Sequence, residues 1–336
     1  MKIVENNKVK RIISDTCNCI FNKETGMTFT WGRTLKENAT YCKYGPLLLD
    51  IEITTICNNG CPFCYKSNTP DGKNMSFETF IEILDSMPPT VMQIAFGVDA
   101  TCESNPDIWR IMHYCREKSI IPNVTVADIT PNTADKLVSV CGAVAVSRYA
   151  NKDICYDSVK LLTDRGLKQT NIHIMVSEQT SEDIYTTFKD YMEDERLRKL
   201  NAIVLLSLKK KGRGEGFDKI KEDKFNDLVR IATDGNIPIG FDSCTASKFM
   251  KAVHGNKKYD PYVESCESTL QSAYIDVDGN YYPCSFCEGV VDGISTLNSK
   301  DFVKDVWNNK QTVEFREKLL GNVDENRQRM CPIWEV

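Results

Sequence analysis

The sequence has no apolar run close to the roughly 20 residues that a membrane-spanning helix requires. Its first residues, MKIVENNKVKRIIS, contain neither the apolar segment nor the small-residue cleavage site of a signal peptide. Positive charge is not in excess either, since 42 lysines and arginines stand against 47 aspartates and glutamates, for a net charge of −5. We therefore expect a cytoplasmic protein with no membrane partner. The acidic balance argues against nucleic acid or any other partner held mainly through phosphates.

Cysteine, in contrast, is abundant, with 15 residues in a chain of 336. In a reducing cytoplasm these thiols are not expected to form a disulfide framework, and clustered cysteines there more often bind metal. We interpret the scattered cysteines as small buried hydrophobic residues; these are Cys102, Cys115, Cys141, Cys155 and Cys244. Near the N-terminus, we interpret three others as free thiols, with a third metal site as the alternative; these are Cys17, Cys19 and Cys42.

From residue 47 onward, strands alternate with helices of 10–15 residues. The predicted strands are 47–56, 91–97, 121–128, 143–147, 171–177, 202–208 and 237–241. The predicted helices are 76–87, 105–118, 131–140, 155–166, 182–192 and 224–235. Six or seven such βα units predict an α/β fold with a parallel sheet, most of a TIM-like barrel, which we describe as a partial (β/α)6 barrel. No glycine-rich fingerprint follows the first strand, which argues against a doubly wound nucleotide-binding sheet.

The pattern divides the chain into three parts. Residues 1–46 are weakly patterned, with a short hairpin turning at Lys23–Gly26, and form an N-terminal extension. The barrel occupies 47–243. Residues 244–336 form a small cysteine-rich domain, with an Asp-Gly hairpin at 274–284 and a helix at 302–320.

The first cysteine cluster, CNNGCPFCY at 57–65, directly follows the first core strand. In a parallel barrel the loops after the strand C-termini carry the chemistry. The thiols of Cys57, Cys61 and Cys64 can ligate three irons of a cubane, which leaves the fourth iron without a protein ligand. An open coordination position is typical of a catalytic metal centre. The alternative is a zinc site, but zinc prefers four protein ligands and no histidine is near.

This C-x3-C-x2-C motif after the first strand of a βα barrel resembles that of the radical S-adenosylmethionine (SAM) superfamily, and the aromatic Tyr65 fits it. The resemblance implies that SAM chelates the open iron of a [4Fe-4S] cluster. It also implies that one electron, from a reductant such as flavodoxin or ferredoxin, cleaves SAM to methionine and a 5′-deoxyadenosyl radical. That radical abstracts a hydrogen atom from the substrate.

The resemblance also suggests SAM contacts. The second strand ends AFGVDA at 95–100, where relatives carry Gly-Gly-Glu-Pro, so that only Gly97 and the shorter acid Asp99 match. An ordinary strand-to-loop turn is the alternative there. The fourth strand ends at Ser147, similar to a Val-Ser that meets SAM in the family.

Two further contacts are predicted from the residues themselves. Alternation in the fifth strand directs His173 into the barrel, as a SAM or substrate contact or as a buried structural group. In KKKGRG at 209–214 we interpret the lysines as a solvated charge run, and Arg213, between two glycines, as a candidate for binding a carboxylate or phosphate.

The second cysteine cluster brackets the Asp-Gly hairpin. Its spacing, C-x17-C with G-x4-C, is similar to the SPASM and twitch accessory domains, and the lack of their further cysteine run makes the shorter twitch type the closer match. That resemblance implies one closed auxiliary [4Fe-4S] cluster; its proposed ligands are Cys266, Cys284, Cys287 and Cys331. A structural four-cysteine zinc site is the alternative.

Three functions remain open at this point. The first is a radical SAM enzyme that acts on a peptide, as many SPASM and twitch relatives do. The second is a radical SAM enzyme that acts on a small molecule, sugar or nucleotide. The third is a non-enzymatic zinc or iron–sulfur protein. The 46 N-terminal residues are too few for a leader-binding winged-helix domain of about 80–90 residues, as seen in peptide-modifying relatives, although such a domain can be a separate protein.

Overall fold

The computed structural model describes residues 1–335, which form two sheets. Seven consecutive parallel strands make up most of the larger sheet. They are β5 (Leu48–Glu52), β6 (Gln93–Gly97), β7 (Ile121–Val126), β8 (Ala143–Ser147), β9 (Thr170–Val176), β10 (Ala202–Ser207) and β11 (Ile239–Phe241). They lie side by side in chain order, and β11 is one edge of the sheet. The partial barrel expected from the alternation is confirmed.

Helices cover the outside of this sheet. They are α1 (Phe77–Ser86), α2 (Ile108–Glu117), α3 (Pro131–Val140), α4 (Lys152–Asp164), α5 (Ser181–Glu193) and α6 (Glu222–Asp234). The start of α3 shows why these segments are helical. The Thr130 side chain accepts a hydrogen bond from the Thr133 backbone, and Pro131 occupies the first turn, where its missing N–H costs nothing. Leu137 and Val140, one turn apart, are then buried against the sheet.

Alternation along each strand separates the barrel interior from the helix-covered face. In β9, Ile172, Ile174 and Val176 are fully buried in the core, whereas Asn171 and His173 are half-buried. The apolar face therefore meets the helices and the polar face lines the interior, as the sequence predicted. Ser177 lies just beyond the strand, where it is buried and hydrogen-bonded to Thr180.

The C-terminal region begins with α7 (Ala246–Ala252). It then adds three strands to the barrel sheet, β12 (Ser272–Ile275), β13 (Asn280–Tyr282) and β14 (Ile294–Ser295). β12 and β13 form the predicted hairpin, whose turn contains Gly279 at φ +79°. β12 also pairs in parallel with β5, so the hairpin continues the sheet of the barrel. No local pattern in the chain indicates this pairing.

The predicted single helix at 302–320 is wrong in its first part. A π-helical turn (Val303–Trp307) comes first, followed by α8 (Lys310–Gly321). Asn309 begins α8, because its side chain caps the helix by accepting a hydrogen bond from the Gln311 backbone. The fully buried Trp307 donates its indole N–H to the carbonyl of Cys42 at 2.7 Å, which fixes the preceding turn.

The N-terminal segment is more ordered than its sequence pattern indicates. It forms a separate four-stranded antiparallel sheet of β1 (Lys2–Glu5), β2 (Val9–Ile13), β3 (Asn18–Asn22) and β4 (Thr28–Trp31), and its last hairpin turns where predicted. Our interpretation of three free thiols here is wrong, because Cys17 and Cys42 form a disulfide. Both residues belong to one small buried hydrophobic cluster, which brings their sulfur atoms together. Of the three cysteines, only Cys19 is free.

No helix within residues 1–335 is both long enough and apolar enough to cross a membrane.

Candidate active site

The first cysteine loop lies between β5 and α1, at the C-terminal end of the first barrel strand. Cys57, Cys61 and Cys64 are free and half-buried. The Asn59 amide donates to the Cys61 sulfur at 2.9 Å. The structure thus places three soft thiol donors on one short loop.

A second loop, which follows β10 on the far side of the barrel, holds this cysteine loop in place. Arg213 donates from Nε to the carbonyl of Cys61 at 2.8 Å and from its backbone N–H to the carbonyl of Cys64 at 3.1 Å. Gly212 has φ +58°, and a Cβ there would lie 2.6 Å from the carbonyl oxygen of Tyr65. The two backbones therefore approach as closely as only glycine allows.

The aromatic side chains of the loop point in two directions. The Phe63 ring lies 5.7 Å from the rings of both Tyr149 and Phe217. Tyr149 also lies near Cys61 and Ser147. Phe63 and Tyr149, which the sequence did not single out, therefore form an aromatic group beside the predicted SAM contact Ser147, whereas Tyr65 packs elsewhere.

Tyr65 connects the two cysteine loops. Its ring packs against Phe286 at 4.3 Å between centroids, and Ser285 lies near its hydroxyl. Both partners lie between Cys284 and Cys287 in the second cysteine motif. The two predicted metal sites are therefore joined by direct side-chain packing.

A buried polar network runs alongside this contact. The Lys66 ammonium pairs with the carboxylates of Glu52, at 3.0 Å, and Glu288, and it donates to the Tyr274 hydroxyl at 2.8 Å. These four groups come from β5, the first cysteine loop, β12 and the second cysteine loop. Burial raises the pKa of Glu52, and the Lys66 charge opposes that rise. In the sequence, this network was indicated only by two acids, Asp50 and Glu52, that alternate within an apolar strand.

The predicted SAM contacts at the ends of β6 and β8 lie at the barrel mouth, but they differ in the contacts that they already make within the protein. The Asp99 carboxylate already accepts backbone N–H groups of Thr101 at 2.9 Å and Ser104 at 3.0 Å. Gly97 ends β6, where an added Cβ would lie 3.2 Å from the Cα of Glu52. Ser147 is half-buried at the end of β8.

His173 lies on the interior face of β9, with its Nδ1 3.5 Å from the Thr125 hydroxyl. Burial lowers its pKa to about 4, and the nearby Asp242 carboxylate opposes this shift only partly. The imidazole is therefore neutral at neutral pH, and it can accept or donate a hydrogen bond inside the barrel.

The second cysteine motif is gathered around the loop after β13. The thiols of Cys284 and Cys287 lie 3.5 Å apart, and the Cys331 sulfur accepts the Trp334 backbone N–H at 3.3 Å. Cys266 and Cys331 line one cavity, and Cys284 lies close enough to Cys266 to affect the pKa of its thiol. The four predicted auxiliary ligands are therefore neighbours in space.

The basic run at 209–211 is not solvated as the sequence suggested. Lys209 is buried, pairs with Asp242 at 2.6 Å and lies 4.5 Å over the Phe286 ring. Lys211 donates to the carbonyl of Glu288 at 2.5 Å. That interpretation is wrong because the second cysteine loop covers this rim of the barrel, and only Lys210 of the three is exposed.

Both thiol groups fit iron–sulfur clusters by the chemistry of their donors. Within residues 1–335 no three metal-ligating side chains already surround a single point. Each iron of a cubane takes its own thiolate, so its ligands need not converge on one point. Cys57, Cys61 and Cys64 would hold the core cluster, and the four C-terminal cysteines would hold the auxiliary one.

Residues 266–332 match the family model of SPASM, an iron–sulfur cluster-binding domain. This match confirms the SPASM-like domain expected from the hairpin and its cysteines. No curated protein sequence matches the chain significantly.

The whole chain resembles solved structures of SuiB from Streptococcus suis. SuiB bound to precursor peptide SuiA superimposes with a TM-score of 0.74 at 13% identity, over 96% of this chain and 92% of that one. SuiB bound to S-adenosylmethionine gives 0.70 at 14% identity, over 94% and 91%. At this identity the likeness establishes the fold, and it extends over the barrel, the N-terminal sheet and the SPASM domain alike.

Proposed function

We propose that this protein is a radical SAM enzyme that generates a 5′-deoxyadenosyl radical and uses it to abstract hydrogen from a peptide substrate. The observation that carries this proposal is the first cysteine loop, in which three half-buried thiols follow the first strand of an open parallel barrel and lie against an iron–sulfur domain. When bound there, a [4Fe-4S] cluster supplies the electron that cleaves SAM.

The chain's own residues would then act as follows. Cys57, Cys61 and Cys64 hold the core cluster, and Arg213 and Gly212 fix the loop that carries them. Ser147 and the neutral His173 would face bound SAM or substrate, and Gly97 and Asp99 would shape the edge of that space. Tyr65 packs the cluster loop against the auxiliary domain.

A peptide is the preferred substrate because the same fold, over nearly the whole length of this chain, is found in a protein bound to a precursor peptide. A small molecule, sugar or nucleotide remains the second candidate, since the polar barrel interior would also accept one. Flavodoxin or ferredoxin would serve as the reductant, in the cytoplasm.

We further propose that the chain is divided into an N-terminal extension at 1–46, a radical SAM barrel at 47–243 and an auxiliary cluster domain at 244–336. The separate N-terminal sheet, and the end of the alternating strands and helices after β11, support these divisions.

The cluster assignment is tested by replacing Cys57, Cys61 or Cys64 with alanine. Each variant should lose 5′-deoxyadenosine production from SAM under anaerobic reduction, because each ligand is needed to keep the fourth iron open. Cys155→Ala, which removes a buried thiol from α4, is the matched control and should retain it. Undiminished SAM cleavage by Cys61→Ala would refute the assignment. A colourless protein that contains zinc would favour the non-enzymatic alternative.

The substrate class is tested by incubating the reconstituted enzyme with short peptides encoded beside its gene. A SAM-dependent loss of hydrogen atoms from the peptide, seen as a mass decrease of about 2 Da per two hydrogen atoms removed, is the expected result. Modification of a sugar or nucleotide, with no peptide modified, would decide for the second candidate.

A further inference from the structure

The sequence offered four cysteines for the auxiliary cluster, but the fold brings a fifth thiol to the same place. Cys244 follows β11, at the C-terminal end of the last barrel strand, and is 22 residues before the first predicted ligand. It is half-buried and free. It also lies outside the residues that match the SPASM model.

Cys244 shares a cavity with two of the proposed ligands. A cavity of about 490 Å³ between the barrel and the C-terminal tail is lined by Cys244, Cys266 and Cys331. Cys284 is near as well, because it affects the pKa of the Cys244 thiol. Cys244 is therefore distant from the second cysteine cluster in the sequence but lies beside it in the fold.

A charged pair lies beside Cys244. The buried ammonium of Lys209 pairs with Asp242, two residues before Cys244. Burial raises the pKa of the Cys244 thiol to about 12, and the Lys209 charge opposes that rise only in part, so the thiol would release its proton on binding iron. Other buried cysteines have different surroundings; Cys115 and Cys141, for example, are packed within the apolar core.

We propose that Cys244 is a ligand of the auxiliary iron–sulfur cluster, so that the last strand of the barrel and the SPASM domain are bound to one metal centre. This inference rests on the proposed function. Since a closed cubane takes four thiolates, the five cysteines exceed its need by one. The surplus thiol is then one of Cys284, Cys287 and Cys331.

The first test compares iron content and electron paramagnetic resonance spectra of the reconstituted protein and its Cys→Ala variants. The parent should hold about eight irons per chain. Cys244→Ala should lose about half of that iron, together with the signal of the auxiliary cluster, and should keep the signal of the core cluster. Cys115→Ala is the control and should match the parent. An unchanged iron content and spectrum in Cys244→Ala would overturn the proposal.

A second test does not require any variant to fold. The loaded protein and the protein stripped of iron are treated anaerobically with iodoacetamide, and labelled cysteines are mapped by mass spectrometry. A half-buried thiol that binds iron should be protected in the loaded protein and labelled in the stripped one, as should Cys266. Labelling of Cys244 in the loaded protein would overturn the proposal. If the parent binds no iron at all, this inference and the proposed function both fail, whereas two intact clusters with a free Cys244 would leave the function standing.

Discussion

At the scale of single residues, the site depends on side chains that reach from one loop to another. Arg213 was predicted to bind a ligand, and its guanidinium instead donates to the carbonyls of Cys61 and Asn68 within the protein. A guanidinium suits this role because it is planar and presents several donors at fixed angles. Arg213 is therefore better described as a residue that positions the cluster loop.

Replacing Arg213 with alanine should destabilise this loop, because hydrogen bonds from a charged donor contribute about 1.5–3 kcal/mol in total here. Arg213→Lys should recover only part of the loss, since one ammonium cannot reach both carbonyls. Urea denaturation of the iron-free protein gives the stability. Iron retention during dilution into chelator gives the effect on the cluster. If Arg213→Ala retained iron as well as the parent, the hydrogen bonds of Arg213 would not be needed to hold the cysteine loop.

His173 predicts a pH effect whose sign follows from its buried position. Its pKa is lowered to about 4 in the folded protein, against about 6.5 in an unfolded chain. Between these values the unfolded chain binds a proton that the folded one does not, so stability should fall as pH drops from about 6.5 towards 4.

The matched comparison is His173→Asn, which cannot titrate. The parent should lose more stability than this variant when urea midpoints at pH 7.5 and pH 5 are compared. The buried carboxyls of Asp50 and Glu267, whose pKa values are raised to about 7, act in the opposite direction but are common to both proteins. Equal losses would mean that His173 is not held neutral by burial.

At the scale of elements, two loops from opposite sides of the barrel pack closely against each other. The turn at 212–216 has no room for a side chain at its first position, where φ is positive and a Cβ would lie only 2.6 Å from the Tyr65 carbonyl oxygen. Gly216, at the other end of the same turn, has open space around it. Gly212 and Gly216 therefore provide a comparison within one element.

Gly212→Ala should push the turn away from the cysteine loop and lower stability by about 1 kcal/mol or more, with faster loss of core iron to chelator. Gly216→Ala should have little effect on either measurement. If both variants behave alike, the approach of the two loops does not support the cluster loop.

The same scale shows what the sequence could and could not predict. The helix at 131–140 and the strand at 143–147 were predicted to the residue, because their caps and alternation are local signals. The break at Asn309 was missed because the burial of Trp307 beneath Cys42 depends on chain segments 265 residues apart. Lys209 was misread for a similar reason, since its aromatic and acidic partners come from distant loops. Of the candidate site, the cysteine motifs were readable, while the Lys66 network was assembled only by the fold.

At the scale of the whole molecule, two cysteine sites share one scaffold but have separate ligands. Replacing both Cys266 and Cys284 with alanine should therefore halve the iron and leave SAM binding intact, because the open iron belongs to the other site. If the auxiliary site serves the substrate half of the proposed reaction, substrate turnover should fall much further than uncoupled SAM cleavage.

Iron analysis, SAM affinity and product assays on this double variant make the test, with Cys141→Ala/Cys155→Ala as a control that removes two thiols elsewhere in the chain. Loss of all iron would mean that the two sites are not independent. About four irons with one zinc in the parent would mark the auxiliary site as structural.

The parallel pairing of β12 with β5 has a consequence for synthesis on the ribosome. β5 emerges with one edge open, and its partner follows about 220 residues later. At about 5–20 residues per second, that edge waits for on the order of 10–40 s. An unpaired strand edge is a template for association with other chains. The nascent barrel should therefore depend on chaperones until the hairpin arrives, and a chain released before residue 272 should aggregate although its barrel sequence is complete.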